Sequence, residues 1–284
     1  FTKILFSCLK LCVMVKFYVN EVKMILLMDV GNTNIKIGLA NESKTVSTWR
    51  IATDGKRTAD EFGMVLFDLL KQSGRSFSDV DGIIISSVAP SINYTLEHMC
   101  SYYMKKKAIF VSTHINLCGM KIDYNGSELG SDRIVNAVAA YKLYGGPVIT
   151  VDFGTATTFG AVNADGVFVG GLIAPGIKAS TESLVNVAAK LPRIELVKPD
   201  CVIGKYTVEN MQAGIIYGFT GLVEYILKKM NGEKGFENAK VIATGGMSQL
   251  VTQNDENMID VVDRALSLKG LRLLYNDNVK ETRK

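Results

Sequence analysis

Histidine and cysteine are scarce in this 284-residue sequence, with two and five residues respectively. The histidines, His98 and His114, stand apart and no CxxC occurs, so a zinc site is not expected. The cysteines (Cys8, Cys12, Cys100, Cys118 and Cys201) are odd in number and unevenly spaced, which argues against a disulfide framework and for a reducing, cytoplasmic setting. Cys100, Cys118 and Cys201 read as ordinary core thiols. A net charge of +4 with one tight basic run, Lys105-Lys106-Lys107, gives no stripe for nucleic acid, and that run reads as solvated surface. Long apolar runs are missing too. Lys3, Lys10 and Lys16 interrupt the apolar N-terminal stretch, which therefore fits neither a membrane span nor a signal peptide. Residues 1–23 are expected to be an extension, or an over-extended reading frame, ahead of a fold starting at Met24; a membrane-associating segment is the alternative. GxxxxGK[ST], GxGxxG, the HRD and DFG pair and GxSxG are all absent, which excludes P-loop enzymes, protein kinases and nucleophile-elbow hydrolases.

What is present is a repeated turn. Ile25 to Leu39 and Val148 to Val162 each run from an apolar, strand-length stretch through Asp-x-Gly and small polar residues into a second apolar stretch. The two aspartates, Asp29 and Asp152, are 123 residues apart, about one domain length. Between the turns, helix-spaced residues (Phe62, Val65, Leu66, Leu69) alternate with strand-like stretches at Gly82–Val88 and Ala108–Val111, the pattern of an α/β fold. A helix is expected from about Ile134 to Leu143, broken by Tyr144-Gly145-Gly146-Pro147. The lobes are accordingly placed at 24–144 and 145–284. Eight glycines fall between Gly145 and Gly176, where average usage would give about two. Such density hints at a ligand approaching the backbone. Thr207 is placed to cap a helix reaching about Met230. Gly214, Gly218 and Gly221 lie along it, each costing roughly 1 kcal/mol relative to alanine. A close helix crossing, within one copy or between two, would offset that cost.

Glycine in an Asp-x-Gly turn lets backbone N–H groups converge on phosphate oxygens, and a strand-end aspartate can meet phosphate through a hydrated cation. A pair of plain hairpins is the simpler alternative for either turn alone. Asp132, expected near a helix start, is suited to accept a proton from an alcohol, and Arg133 to bind a carboxylate or phosphate. From these residues alone, the simpler account is favoured: Ser131 or Asp132 caps the helix and Arg133 is solvated.

The ordered set Asp29-Val30-Gly31-Asn32-Thr33-Asn34, Gly130-Ser131-Asp132-Arg133, Val151-Asp152-Phe153-Gly154-Thr155 and Gly204-Lys205-Tyr206-Thr207 resembles the type III pantothenate kinases. These belong to the acetate and sugar kinase, heat-shock chaperone and actin superfamily. The resemblance implies two ribonuclease-H-like lobes with the nucleotide site between them. The implied reaction transfers the γ-phosphoryl of ATP to the primary hydroxyl of pantothenate, the first step toward coenzyme A, in a cytoplasmic homodimer. By resemblance, Asp29, Val30, Gly31, Asn32, Thr33, Asn34, Ile35, Lys36 and Thr155 meet ATP, with Asp29 near Mg²⁺. Asp132 is the proton acceptor, and Gly130, Ser131, Asp132, Arg133 and Thr207 meet pantothenate. Asp152 holds a monovalent cation, K⁺ or ammonium, and Thr244-Gly245-Gly246 forms the adenosine-side turn. Tyr124 stands near the family's substrate-contacting aromatic, although the sequence reads Asp123-Tyr124-Asn125-Gly126 where an Asn-Pro pair is usual. No nucleic-acid or membrane partner is implied. A non-catalytic nucleotide-binding regulator of the same fold and a kinase for another small acceptor are the alternatives.

Overall fold

Two sheets built on the same hairpin plan face each other across a pair of helices. The computed structural model describes residues 23–124, 129–253 and 258–282. The extension expected at residues 1–23 therefore lies, but for Lys23, outside the described residues, as do Asn125 and Gly126.

The first sheet opens with an antiparallel meander, β1 (Met24–Val30), β2 (Asn34–Ala40) and β3 (Thr45–Ala52). Helix α1 (Ala59–Gln72) follows, then β4 (Val80–Ser87), parallel to β1, helix α2 (Asn93–Tyr103) and β5 (Ile109–Phe110). The sheet order is β3-β2-β1-β4-β5. β1 is apolar on both sides because both sides are covered. Met24, Leu26, Met28 and Val30 pack with residues of α1 and α2, whereas Ile25 and Leu27 join the core that lies between the sheets. Thr58 and Glu61 close a capping box at the start of α1, a device worth about 1 kcal/mol.

After β6 (Lys121–Ile122) come α3 (Ser131–Tyr144), β7 (Val148–Phe153), β8 (Ala156–Val162) and β9 (Val167–Pro175). Then follow α4 (Ile177–Val187), α5 (Thr207–Asn231), β10 (Lys240–Gly245), α6 (Ser248–Thr252), β11 (Val261–Val262) and α7 (Leu266–Thr282). The second sheet is ordered β11-β10-β7-β8-β9-β6. Helix α3 is buried on nearly every side, from Ile134 through Ala140, because it is sandwiched between the sheets. Its companion α7 packs along α3 and against β1, β2 and β4. The two halves of the chain therefore interleave: β6 precedes α3 yet pairs with β9, and α7 ends the chain yet covers the first sheet. Leu27, Val138, Val148, Ile242, Leu268 and Leu271 share one core.

Several local expectations change. Helix α3 begins at Ser131 with Gly130 as its N-cap, so neither Ser131 nor Asp132 caps it. Tyr206, not Thr207, is the N-cap of α5, and Thr207 is its first residue. The strand expected over Ala108–Val111 shortens to two residues. Of the thiols, Cys100 is buried but Cys201 is exposed, which removes it from the core. Among the described residues, a Cβ added at Gly214, Gly218 or Gly221 would meet nothing within 4 Å, so no described helix crosses there.

Candidate active site

The two hairpins bring their aspartates to corresponding places. Asp29, near the end of β1, stands opposite Lys36 of β2 and Ser86 of β4. Asp152, near the end of β7, stands opposite Thr158 of β8 and Thr244 of β10. Directly opposed residues share a sheet face, and in both sheets this face is the one turned toward α3. The turns themselves meet, since the Oγ1 atoms of Thr33 and Thr155 are 3.1 Å apart and share a hydrogen bond.

Each turn uses part of its own backbone. The Gly31 N–H donates to Asn34 O at 3.0 Å and the Gly154 N–H to Ala156 O at 3.1 Å. These two glycine amides thus already have acceptors within their own turns. Asn32, Thr33 and Thr155 have no backbone acceptor for theirs among the described residues. Thr53 braces the first turn from β3's end: its Oγ1 donates to Gly31 O at 2.7 Å and its N–H to Thr33 O at 3.0 Å. No motif in the sequence marks Thr53, because its role depends on strand register. Lys36 is engaged within the fold. Its Nζ donates to Arg264 O at 3.3 Å and to Ser267 Oγ at 3.2 Å, tying the hairpin to the start of α7.

Helix α3 carries the third carboxylate. Ser131 Oγ donates to Ser87 O at 3.0 Å and accepts from Ser86 Oγ at 3.0 Å, which pins the helix start to the end of β4. Asp132 Oδ1 accepts the Arg133 N–H at 2.8 Å. A Cβ at position 130 would lie 2.5 Å from that oxygen, so glycine is what lets the carboxylate take this position. One turn further along the same helix face, Asn136 Nδ2 donates to Asp152 Oδ2 at 2.9 Å. Thus α3 touches both aspartate systems. Gly245, at φ +94°, is required for a second reason: a Cβ there would press on Asp152 Oδ1 and the Phe153 backbone, each at 2.6 Å.

Proximity of the carboxylates shows in the acidities of Asp132 and Asp152. Burial raises the Asp132 carboxyl above 3.8, and the Asp29 charge adds to this while the Arg133 N–H opposes it. Burial pushes Asp152 up to about 6, with the charges of Asp29 and Asp132 adding and Lys36 and Asn136 opposing. Among the described residues no three acidic, histidine or cysteine side chains close into a metal cage. Separate, oxygen-only donors facing an anion site suit a hydrated divalent ion that takes further ligands from phosphate.

Arg133 lies on the other side of Asp132. Its Cζ is 5.8 Å from the Tyr124 ring centre and 5.5 Å from that of Phe168. Its Nε is buried without a partner, a donor available to an anionic group. The structure therefore joins Tyr124 to Arg133. It leaves Thr207 elsewhere, on the rim of a groove of about 600 Å³ lined by Leu184, Leu191, Gly214, Ile215, Gly218 and Phe219.

A family model for type III pantothenate kinase matches residues 25–229. A type III pantothenate kinase from Bacillus cytotoxicus is 50% identical over 256 residues, 90% of this chain and 97% of that protein. Among solved structures, a Campylobacter jejuni protein described as a Baf family transcriptional activator aligns with a TM-score of 0.57 at 19% identity, covering 90% of this chain and 99% of that one. A Listeria monocytogenes protein described as an N-acetylmannosamine kinase aligns with a TM-score of 0.51 at 12% identity, covering 91% and 99%. These two likenesses concern the fold alone, a mixed α/β fold with two sheets.

Proposed function

The chain belongs to the type III pantothenate kinase family, and from that premise we propose how its cleft performs the reaction. The protein is an ATP-dependent pantothenate kinase of coenzyme A biosynthesis, working with a divalent metal. The convergence of Asp29, Asp132 and Asp152 from β1, α3 and β7 is the observation that carries the site assignment.

In this reading Asp132 accepts the proton of the pantothenate hydroxyl as the γ-phosphoryl leaves ATP. The transition state is loose, so the proton moves late and a carboxylate is a strong enough base. Such a base typically contributes 10²- to 10⁴-fold. Asp29 would hold Mg²⁺, through water, and Asp152 would hold K⁺ or ammonium. When bound, the two cations offset charge on the phosphates. The free amides of the facing turns, at Asn32, Thr33 and Thr155, hold phosphate oxygens together with the paired Thr33 and Thr155 hydroxyls, while Val30, Asn34 and Ile35 shape the first turn. Arg133 takes the pantothenate carboxylate on a guanidinium kept dry by Tyr124 and Phe168, with Gly130 and Ser131 setting the helix start. Residues 24–144 and 145–284 make up most of the two lobes of the nucleotide cleft, with β6 of the first range added to the second sheet and α7 of the second range laid on the first.

We further infer a homodimer through the face of α5. Gly214, Gly218 and Gly221 open that face, and Ile203, Tyr206 and Tyr225 are exposed near it or on it. Thr207 sits at the groove's rim, so its contact with pantothenate belongs with the dimer. None of the described helices is long and apolar enough to cross a membrane, and the reaction suits the cytoplasm. The reading is tested by incubating the protein with Mg²⁺-ATP labelled at the γ-phosphate in K⁺ buffer. Label is expected in 4'-phosphopantothenate at a rate at least tenfold lower in Na⁺ buffer. Full activity in Na⁺ alone removes the role given to Asp152.

A further inference from the structure

The outer strand of the first sheet supplies a cation that the reaction as described leaves unused. Strand register sets Arg50 opposite Lys36, Lys36 opposite Asp29, and Asp29 opposite Ser86. The four therefore form one row across β3, β2, β1 and β4, on the face turned toward Asp132 and Asp152. Arg50 lies two strand spacings, roughly 10 Å, from Asp29. Of the two cations in the row, Lys36 is tied to Arg264 O and Ser267 Oγ. The Arg50 side chain makes no hydrogen bond or ion pair with any described residue. Its Nη1 instead reaches over to the second sheet, 3.9 Å from where a Cβ of Gly246 would stand.

An exposed arginine is ordinarily just solvated. This one spans from one sheet to the glycine turn of the other, and Gly246 offers it no side chain. It also stands beside a site whose three carboxylates repel an incoming polyphosphate. We propose that Arg50 is a nucleotide-binding residue: its guanidinium holds phosphate oxygens of ATP on the ribose side of Asp29, between β3 and the Gly245-Gly246 turn. The planar fork offers paired donors to phosphate, which a lysine ammonium meets only as a point charge. This rests on the reading of the cleft as the nucleotide site, so the test separates the two.

Equilibrium binding of Mg²⁺-ADP and of adenosine is measured for wild type, Arg50→Gln, Arg50→Lys and Thr155→Val, alongside KM for ATP and for pantothenate. Arg50→Gln is expected to weaken ADP binding and raise KM for ATP roughly tenfold or more. Adenosine binding, KM for pantothenate and the melting temperature should stay within twofold or a few degrees of wild type, and Arg50→Lys should recover part of the loss. Equal losses for ADP and adenosine would overturn the phosphate assignment. Unchanged ADP affinity in Arg50→Gln with a loss in Thr155→Val overturns Arg50 and leaves the cleft standing. No loss in either variant removes both.

Discussion

Asp132 has to be ionised to accept a proton, and burial beside Asp29 makes it a weaker acid than usual. The acid limb of kcat/KM should therefore fall above 3.8 and vanish from the profile in Asp132→Asn; a limb at or below 3.8 contradicts the burial argument. Asp152 has a sign of its own. With a folded-state value of about 6 against an ordinary 3.8, the folded protein holds its proton more tightly than the unfolded chain. Stability is thus lost as pH rises between roughly 4 and 6, and the full penalty is present at pH 7. Added K⁺ should raise the melting temperature more at pH 7.5 than at pH 5, and Asp152→Asn should abolish the difference. An equal K⁺ effect at both pH values would place the cation elsewhere. Thr53 offers a contrast, because it touches only the turn to which we assign phosphate. Thr53→Val, which removes the hydrogen bond to Gly31 O, should raise KM for ATP several-fold, with Thr53→Ser restoring it.

At the scale of elements, α3 does the joining: its first turn supplies Asp132 and its second supplies Asn136. The two hairpins were legible in the sequence because Asp-x-Gly between apolar runs is a local signal, complete within fifteen residues. The place of Asp132 in the first turn was legible for the same reason. Thr53, Asn136 and Arg50 were not, since each acts through strand register or helix packing with partners far along the chain. The placing of β6 in the second sheet and of α7 on the first has no local trace either. Glycine spacing on α5 was visible, but only the structure shows that no described residue of the same copy fills the space beside those glycines. Gly218→Leu should leave the isolated fold intact and shift the protein from dimer to monomer in sedimentation velocity. An unchanged dimer would move the interface off this face.

For the molecule as a whole, the core between the sheets draws on both halves of the chain, so they should unfold together. Leu268→Ala, in the middle of that core, should cost about 2–5 kcal/mol. Denaturant curves followed by Trp49 fluorescence, which reports the first sheet, and by far-ultraviolet circular dichroism should coincide. Separate transitions would mean that α3 and α7 do not couple the halves. The shared core also holds the three carboxylates in one place, which is what the kinase chemistry needs. The most direct test of that claim is ADP release from Mg²⁺-ATP in K⁺ buffer, with and without pantothenate, for wild type and Asp132→Asn. Release should depend on pantothenate and fall at least 10²-fold in the variant, with nucleotide binding retained. Turnover within a few-fold of wild type in Asp132→Asn would contradict the assignment of the base and with it the account of the site.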